Sequence, residues 1–285
     1  MQSVQSAKWS IFALIFIVAG CGAANSGQGA VCTPDPSVEP KDCKVSAINY
    51  SGGVEGQVRL NIENEQHLQK LCKSHCTRAD AIDIGGFDKI ENLKALSRLE
   101  EIGLLSINRT KNLKSLNGIS ENTDIGTLKL SFNQGLTTLD GMGKGTTIEH
   151  RVKIADNRHL DSLSGIGTHF DNVDRIDVRY NDLERFGLAD EATLADDAEV
   201  RLTNEDDVDD LSGLKGLEKI RYLRLGSLDS LTSLQGVGSL TVTGGMRIAN
   251  NSDLPICRID QFIEKVGLTN ESVSRFANGP PGNCE

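Results

Sequence analysis

Residues 128–142 read L-K-L-S-F-N-Q-G-L-T-T-L-D-G-M, and two other segments repeat the pattern: 152–166 is V-K-I-A-D-N-R-H-L-D-S-L-S-G-I and 223–237 is L-R-L-G-S-L-D-S-L-T-S-L-Q-G-V. Leu128 and Leu130 alternate with Lys129, which predicts a short strand with its leucines inward and its lysine outward. Apolar residues resume at Leu136, Leu139 and Met142, a second run that supplies the other inner wall of the same unit. The second apolar residue of each alternating run falls at Ile84, Ile107, Leu130, Ile154, Val178, Leu202, Leu225 and Ile248, with gaps of 23, 23, 24, 24, 24, 23 and 23. A weaker copy, Val58-Arg59-Leu60, is placed 24 residues before Ile84. A fixed period of this size marks coils that stack and cannot fold singly.

Asn133 stands where the strand must turn, with equivalents at Asn157, Asn181 and Asn251. A buried amide there satisfies backbone groups that stacked corners would leave unpaired. Gly118, Gly141, Gly165, Gly213 and Gly236 share one place in the unit, which fits a positive φ or a close chain approach. Thr110, Glu205 and Leu228 replace the asparagine, so an interrupted ladder is expected. The pattern L-x-L-x-x-N-x-x-L-x-x-L-x-G-[LIM] resembles a leucine-rich repeat and, more closely, the coils of the receptor L domain. That resemblance covers about residues 58 to 284 and implies a mainly β fold, a right-handed β-solenoid of 23–24-residue leucine-rich coils with short helical caps at its ends.

The amino terminus reads as a targeting segment. Lys8 is a basic flank, I-F-A-L-I-F-I-V-A (11–19) is an apolar core, and Val18-Ala19-Gly20-Cys21 closes it. Such a core is too short to span a bilayer, which needs about 20 residues. The ending resembles the lipobox of bacterial lipoproteins. The resemblance implies lipidation at Cys21, export and anchoring to the cell envelope. Gly22 in place of a retention aspartate favours the outer membrane. The alternative is an ordinary secretory signal with one unpaired thiol. Six cysteines remain after Cys21: Cys32, Cys43, Cys72, Cys76, Cys257 and Cys284. An even set in an exported chain reads as disulfides.

The chain therefore divides into a signal peptide (1–20), a lipidated cysteine and flexible tether (21–42), an amino-terminal cap (43–80), the repeats (81–253) and a carboxy-terminal cap (254–285). Residues 64–74 predict a helix with Leu68, Leu71 and Cys72 on one face, and 257–266 a second with Ile259, Phe262, Ile263 and Val266. A Cys257 to Cys284 bond would pin the tail under the second helix, contributing about 3 to 4 kcal/mol. Pairing of the other four cysteines stays open.

Without its signal peptide the chain loses one basic residue, Lys8, from 30 Lys and Arg against 40 Asp and Glu, for a net charge of −11. That balance argues against nucleic acid as a partner. One Trp, Trp9 in the signal, and three Tyr supply an aromatic sugar platform poorly. The outward residue of each strand forms a column: Asp83, Ser106, Lys129, Lys153, Asp177, Arg201, Arg224 and Arg247. Like charges opposite one another are unfavourable, so the run Arg201-Arg224-Arg247 calls for an anion. Lys129, Lys153, Arg179, Arg201, Arg224 and Arg247 are the candidate ligand-binding residues. The bland reading is a solvated stripe paired with Asp177 and nearby carboxylates.

The acidic run 205–210 (E-D-D-V-D-D) is read as a solvated turn with carboxylates fanning outward rather than a calcium loop, for which it lacks the glycine-punctuated spacing. His75, between Cys72 and Cys76, is read as part of a disulfide-bearing cap and not a zinc site. No nucleophile elbow, H-E-x-x-H helix or phosphate loop occurs, and no cofactor is implied. The expected function is a lipid-anchored envelope module, not an enzyme, that binds a protein or an anionic glycan through its repeat face. The alternatives are a structural envelope lipoprotein with no dedicated ligand and a carbohydrate-active enzyme on a β-solenoid. The enzyme needs outward carboxylates on neighbouring coils, and Asp83 and Asp177 stand four coils apart.

Overall fold

The computed structural model describes residues 59–74, 76–188 and 192–281, together with Ser37. Among them, ten strands form one open, all-parallel sheet in sequence order: β1 Arg59–Ile62, β2 Arg78–Gly85, β3 Glu101–Asn108, β4 Asp124–Ser131, β5 Thr147–Ala155, β6 Val173–Arg179, β7 Leu194–Thr203, β8 Lys219–Gly226, β9 Thr241–Ala249 and β10 Val273–Phe276. The protein is thus mainly β. The expected signal peptide, Cys21, the expected tether apart from Ser37, Cys32, Cys43, His75 and Cys284 lie outside the described residues.

Register follows the sequence period. Ile84, Ile107, Leu130, Ile154, Val178, Leu202, Leu225 and Ile248 are successive in-register partners, and all are 0–1 % exposed. A one-residue slip would turn this whole set to solvent, so burial enforces the pairing. Leu113, Leu116, Leu136, Leu139, Leu160 and Leu163 are buried in the same core. One expected alignment is corrected: Ile62, and not Leu60, pairs with Ile84, while Leu60 pairs with Ile82. Both are fully buried, so the inward face of β1 carries two apolar residues and tolerates either reading from sequence alone. The sheet also runs past the 81–253 segment at both ends, through β1 and β10.

Helix α1 (Glu65–Ser74) starts where the Asn64 side chain accepts the His67 N–H at 3.0 Å, an N-cap bond, and it buries Leu68, Leu71 and Cys72. Helix α2 (Ile256–Lys265) follows Pro255 and buries Ile259, Phe262 and Ile263. Cys72, Cys76 and Cys257 are disulfide-bonded. The expected Cys257 to Cys284 pairing lies outside the described residues.

The corner amides form two ladders. Thr110 donates to Asn133 Oδ1 from both N–H and Oγ1, Asn133 donates to Asn157 Oδ1, and Asn157 to Asn181 Oδ1. Asn181 then donates to Glu205, at 2.9 Å from Nδ2 to Oε1 and at 3.0 Å from its N–H to Oε2. Leu228 interrupts the series; beyond it the Leu228 N–H donates to Asn251 Oδ1 and Asn251 donates to Asn278 Oδ1. Glu205 is fully buried, which corrects the outward fan expected for the acidic run: only Asp206, Asp207 and Asp209 are exposed there, since Glu205 takes the asparagine's inward place.

The repeat glycines divide by cause. Gly141 has φ +100°, and a Cβ there would lie 2.7 Å from Asn117 Cα of the preceding unit. Gly213 keeps negative φ, and its Cβ would instead strike the Gly187 N at 2.2 Å, so close approach alone demands it. Gly141→Ala is expected to cost about 2–4 kcal/mol, read as a lowered urea midpoint, because strain and overpacking act together.

Candidate functional site

On the outer face, Asn61, Asp83, Ser106, Lys129, Lys153, Asp177, Arg201, Arg224, Arg247 and Ser274 are consecutive register partners. Five of the six candidate ligand-binding residues therefore share one column. The sixth, Arg179, stands in the adjacent column, in line with Thr203, Gly226 and Ala249. Neighbouring strands are about 4.8 Å apart, which sets the basic side chains side by side.

The column is not uniformly unpaired. Glu199, two residues before Arg201 on β7, accepts from Arg175 at 2.5 Å, Arg201 at 2.9 Å and Arg221 at 2.8 Å. Burial pushes the Glu199 carboxyl up, but the hydrogen bonds and charges of Arg175 and Arg201 outweigh it and hold the carboxyl below its ordinary value. Arg201 is thereby paired through its terminal nitrogen, while its Nε is buried without a partner among the described residues. The expected repulsive trio reduces to a pair, Arg224 and Arg247. Asp177 makes no ion pair among the described residues, and neither do Lys129, Lys153, Arg179, Arg224 or Arg247.

A ridge borders this face at the carboxyl ends of the strands. Gly86, Arg109, Phe132, Asp156, Tyr180, Asn204, Ser227, Asn250 and Ala277 all adopt positive φ, between 52° and 65°. A side chain in that region costs roughly 1–2 kcal/mol. The turn is held because each N–H from Gly86 to Asn250 donates to a carbonyl of the next unit, at 2.9 to 3.1 Å. The ridge presents Phe132 and Tyr180, 49 % and 44 % exposed, so aromatic surface is better supplied than composition implies. Arg109 lies over the Phe132 ring at 5.7 Å, and Arg247 over Phe276 at 4.9 Å.

Between the ridge and the column lies a hollow of about 200 Å³ lined by Arg179, Arg224 and Arg247 with Tyr180, Asn204 and Ser227 among their neighbours, and by no carboxylate. Sequence reading brought the arginines to one face but missed Glu199 and the hollow. Glu199 was findable, since it shares the outward parity of Arg201. The ridge was not, because Arg109, Phe132, Tyr180, Ser227 and Ala277 carry no preference for left-handed backbone.

Among the described residues no cluster of three His, Cys, Asp or Glu side chains is positioned to hold a metal. No protein-family model, no curated protein and no solved structure matches the chain.

Proposed function

We propose that this chain is a lipid-anchored binding module of a bacterial cell envelope that recognises an anionic partner, a polysaccharide before a protein, through the outer face of its sheet. The ten parallel strands are then one wall of a right-handed solenoid of 23–24-residue coils, similar to leucine-rich repeats and receptor L domains. The strictly sequential strand order and the corner-amide ladder support that reading. The anchor rests on the Val18–Cys21 motif and its apolar flank.

One observation carries the ligand class. Arg224 and Arg247 are direct register partners with no carboxylate paired to either among the described residues, on a protein of net charge −10. A chain rich in acids that leaves these two unpaired, while Glu199 pairs with Arg201, keeps cationic surface for a partner. An acidic polymer laid across the strands meets Lys129 and Lys153 along the same column.

The full chain is expected to bind acidic envelope polysaccharide saturably and in a salt-sensitive way. Arg224→Glu/Arg247→Glu is expected to weaken that binding at least tenfold without changing the melting temperature. Saturable binding that survives charge reversal would move the site elsewhere, and no saturable binding would favour a structural envelope role.

A further inference from the structure

We infer that the hollow at the carboxyl ends of β6 to β9 is a socket for a phosphate or sulfate ester carried on a sugar; the inference rests on the function proposed above and names the group by which that face would select its partner. The space of about 200 Å³ admits one compact anionic group. It exists because the column that carries Arg179 on β6 continues as Thr203, Gly226 and Ala249, side chains too short to fill it.

The lining chemistry is one-sided. Three arginines line the hollow, and every other lining residue is neutral. Arg247 is held over the Phe276 ring at 4.9 Å, so part of its rotamer freedom is already spent before a ligand arrives. The ridge residues Tyr180, Asn204, Ser227 and Asn250 have their N–H groups committed to carbonyls of the next unit. Their hydroxyl and amide side chains make no hydrogen bond among the described residues, which leaves them as neutral donors to the ligand.

These donors discriminate among anions. A carboxylate offers two oxygens in one plane and a single negative charge. A tetrahedral ester offers three terminal oxygens in three directions, one acceptor atom more than a carboxylate, with charge of up to about −2 for a phosphomonoester. The sugar is indicated by the rim: Tyr180 is 44 % exposed beside the hollow, and the hydroxyl and amide groups suit sugar hydroxyls rather than an acyl chain.

The test is calorimetric titration of the full chain with glucose 6-phosphate, glucose 6-sulfate and glucuronate. Two variants accompany it. Arg179→Gln removes one cation. Gly226→Leu fills the floor, where an added Cβ meets nothing closer than Ala249 O at 3.4 Å and Thr203 Cγ2 at 3.5 Å. The esters are expected to bind at least tenfold tighter than glucuronate, and each variant to weaken ester binding at least tenfold at an unchanged melting temperature. Glucuronate binding as tightly as the esters, absence of ester binding, or undiminished binding by both variants overturns the socket. So does a preference for phospholipid vesicles or a phosphopeptide over the hexose esters. If acidic polysaccharide binding is lost in Arg224→Glu/Arg247→Glu yet unchanged in both socket variants, the socket alone fails. If no polysaccharide binds at all, the broader function fails with it.

Discussion

Leu130→Asp or Ile154→Asp is expected to abolish cooperative unfolding. Both residues are 0 % exposed and pair with each other in the middle of the inward column, between Ile107 and Val178. The buried polar groups among the described residues are threonines, asparagines and Glu205; no lysine or arginine is buried to receive a new carboxylate. An unpaired charge there must either be solvated by opening the stack or be neutralised, at a cost of several kcal/mol. Because a domain's whole stability is about 5–15 kcal/mol, that cost is a large share of it. Lys129→Asp, on the same strand but outward, is expected to stay within about 0.5 kcal/mol of the parent. Circular dichroism melts of the three variants decide the matter. Sharp transitions in both inward variants would sink the register.

The second large effect concerns pH. Glu205 is fully buried at the end of the amide ladder, and burial pushes its carboxyl up from 4.5 to about 7, although hydrogen bonds from the Leu183 and Asn181 backbone and the Asn181 amide oppose the rise. Below pH 4.5 both the folded and the unfolded chain hold the proton. Between 4.5 and about 7 the unfolded chain has released it while the folded chain retains it, so folding stability falls as pH rises through that window. The loss amounts to about 3 kcal/mol and is complete above the upper value. Glu205→Gln places an uncharged group of the same shape in the ladder and is expected to remove this dependence. Urea unfolding of parent and variant at steps from pH 4 to pH 8 tests it. Parallel profiles across the window would show that Glu205 does not titrate as its burial dictates.

The same substitution of acid for amide shows how local chemistry is reassigned by position. At residue 205 a carboxylate enters the core because the ladder offers donors from Asn181 and Leu183. At residue 199, six positions earlier, a carboxylate serves the outer face, where three arginines surround it. Glu205 is raised by desolvation and Glu199 lowered by its arginines. Only the place of each carboxylate decides which influence prevails.

From β2 to β9, strand existence and register were legible in the sequence, because a 23–24-residue period with alternating apolar positions leaves one pairing that buries every inward side chain; at β1, where Leu60 and Ile62 both point inward, the register was not. The two helices were legible from their apolar spacing and were found within one residue of their expected bounds. The alignment of Lys129, Lys153, Arg201, Arg224 and Arg247 followed from that same register. Tertiary structure alone decided which cations remain free. Whether a carboxylate reaches an arginine depends on side-chain approach across neighbouring strands, which a one-dimensional period does not encode; Glu199 draws on β6, β7 and β8 at once. It also decided the ridge. Left-handed backbone at Phe132 and Tyr180 is imposed by hydrogen bonds to the next unit and not by residue preference, so no local signal announces it.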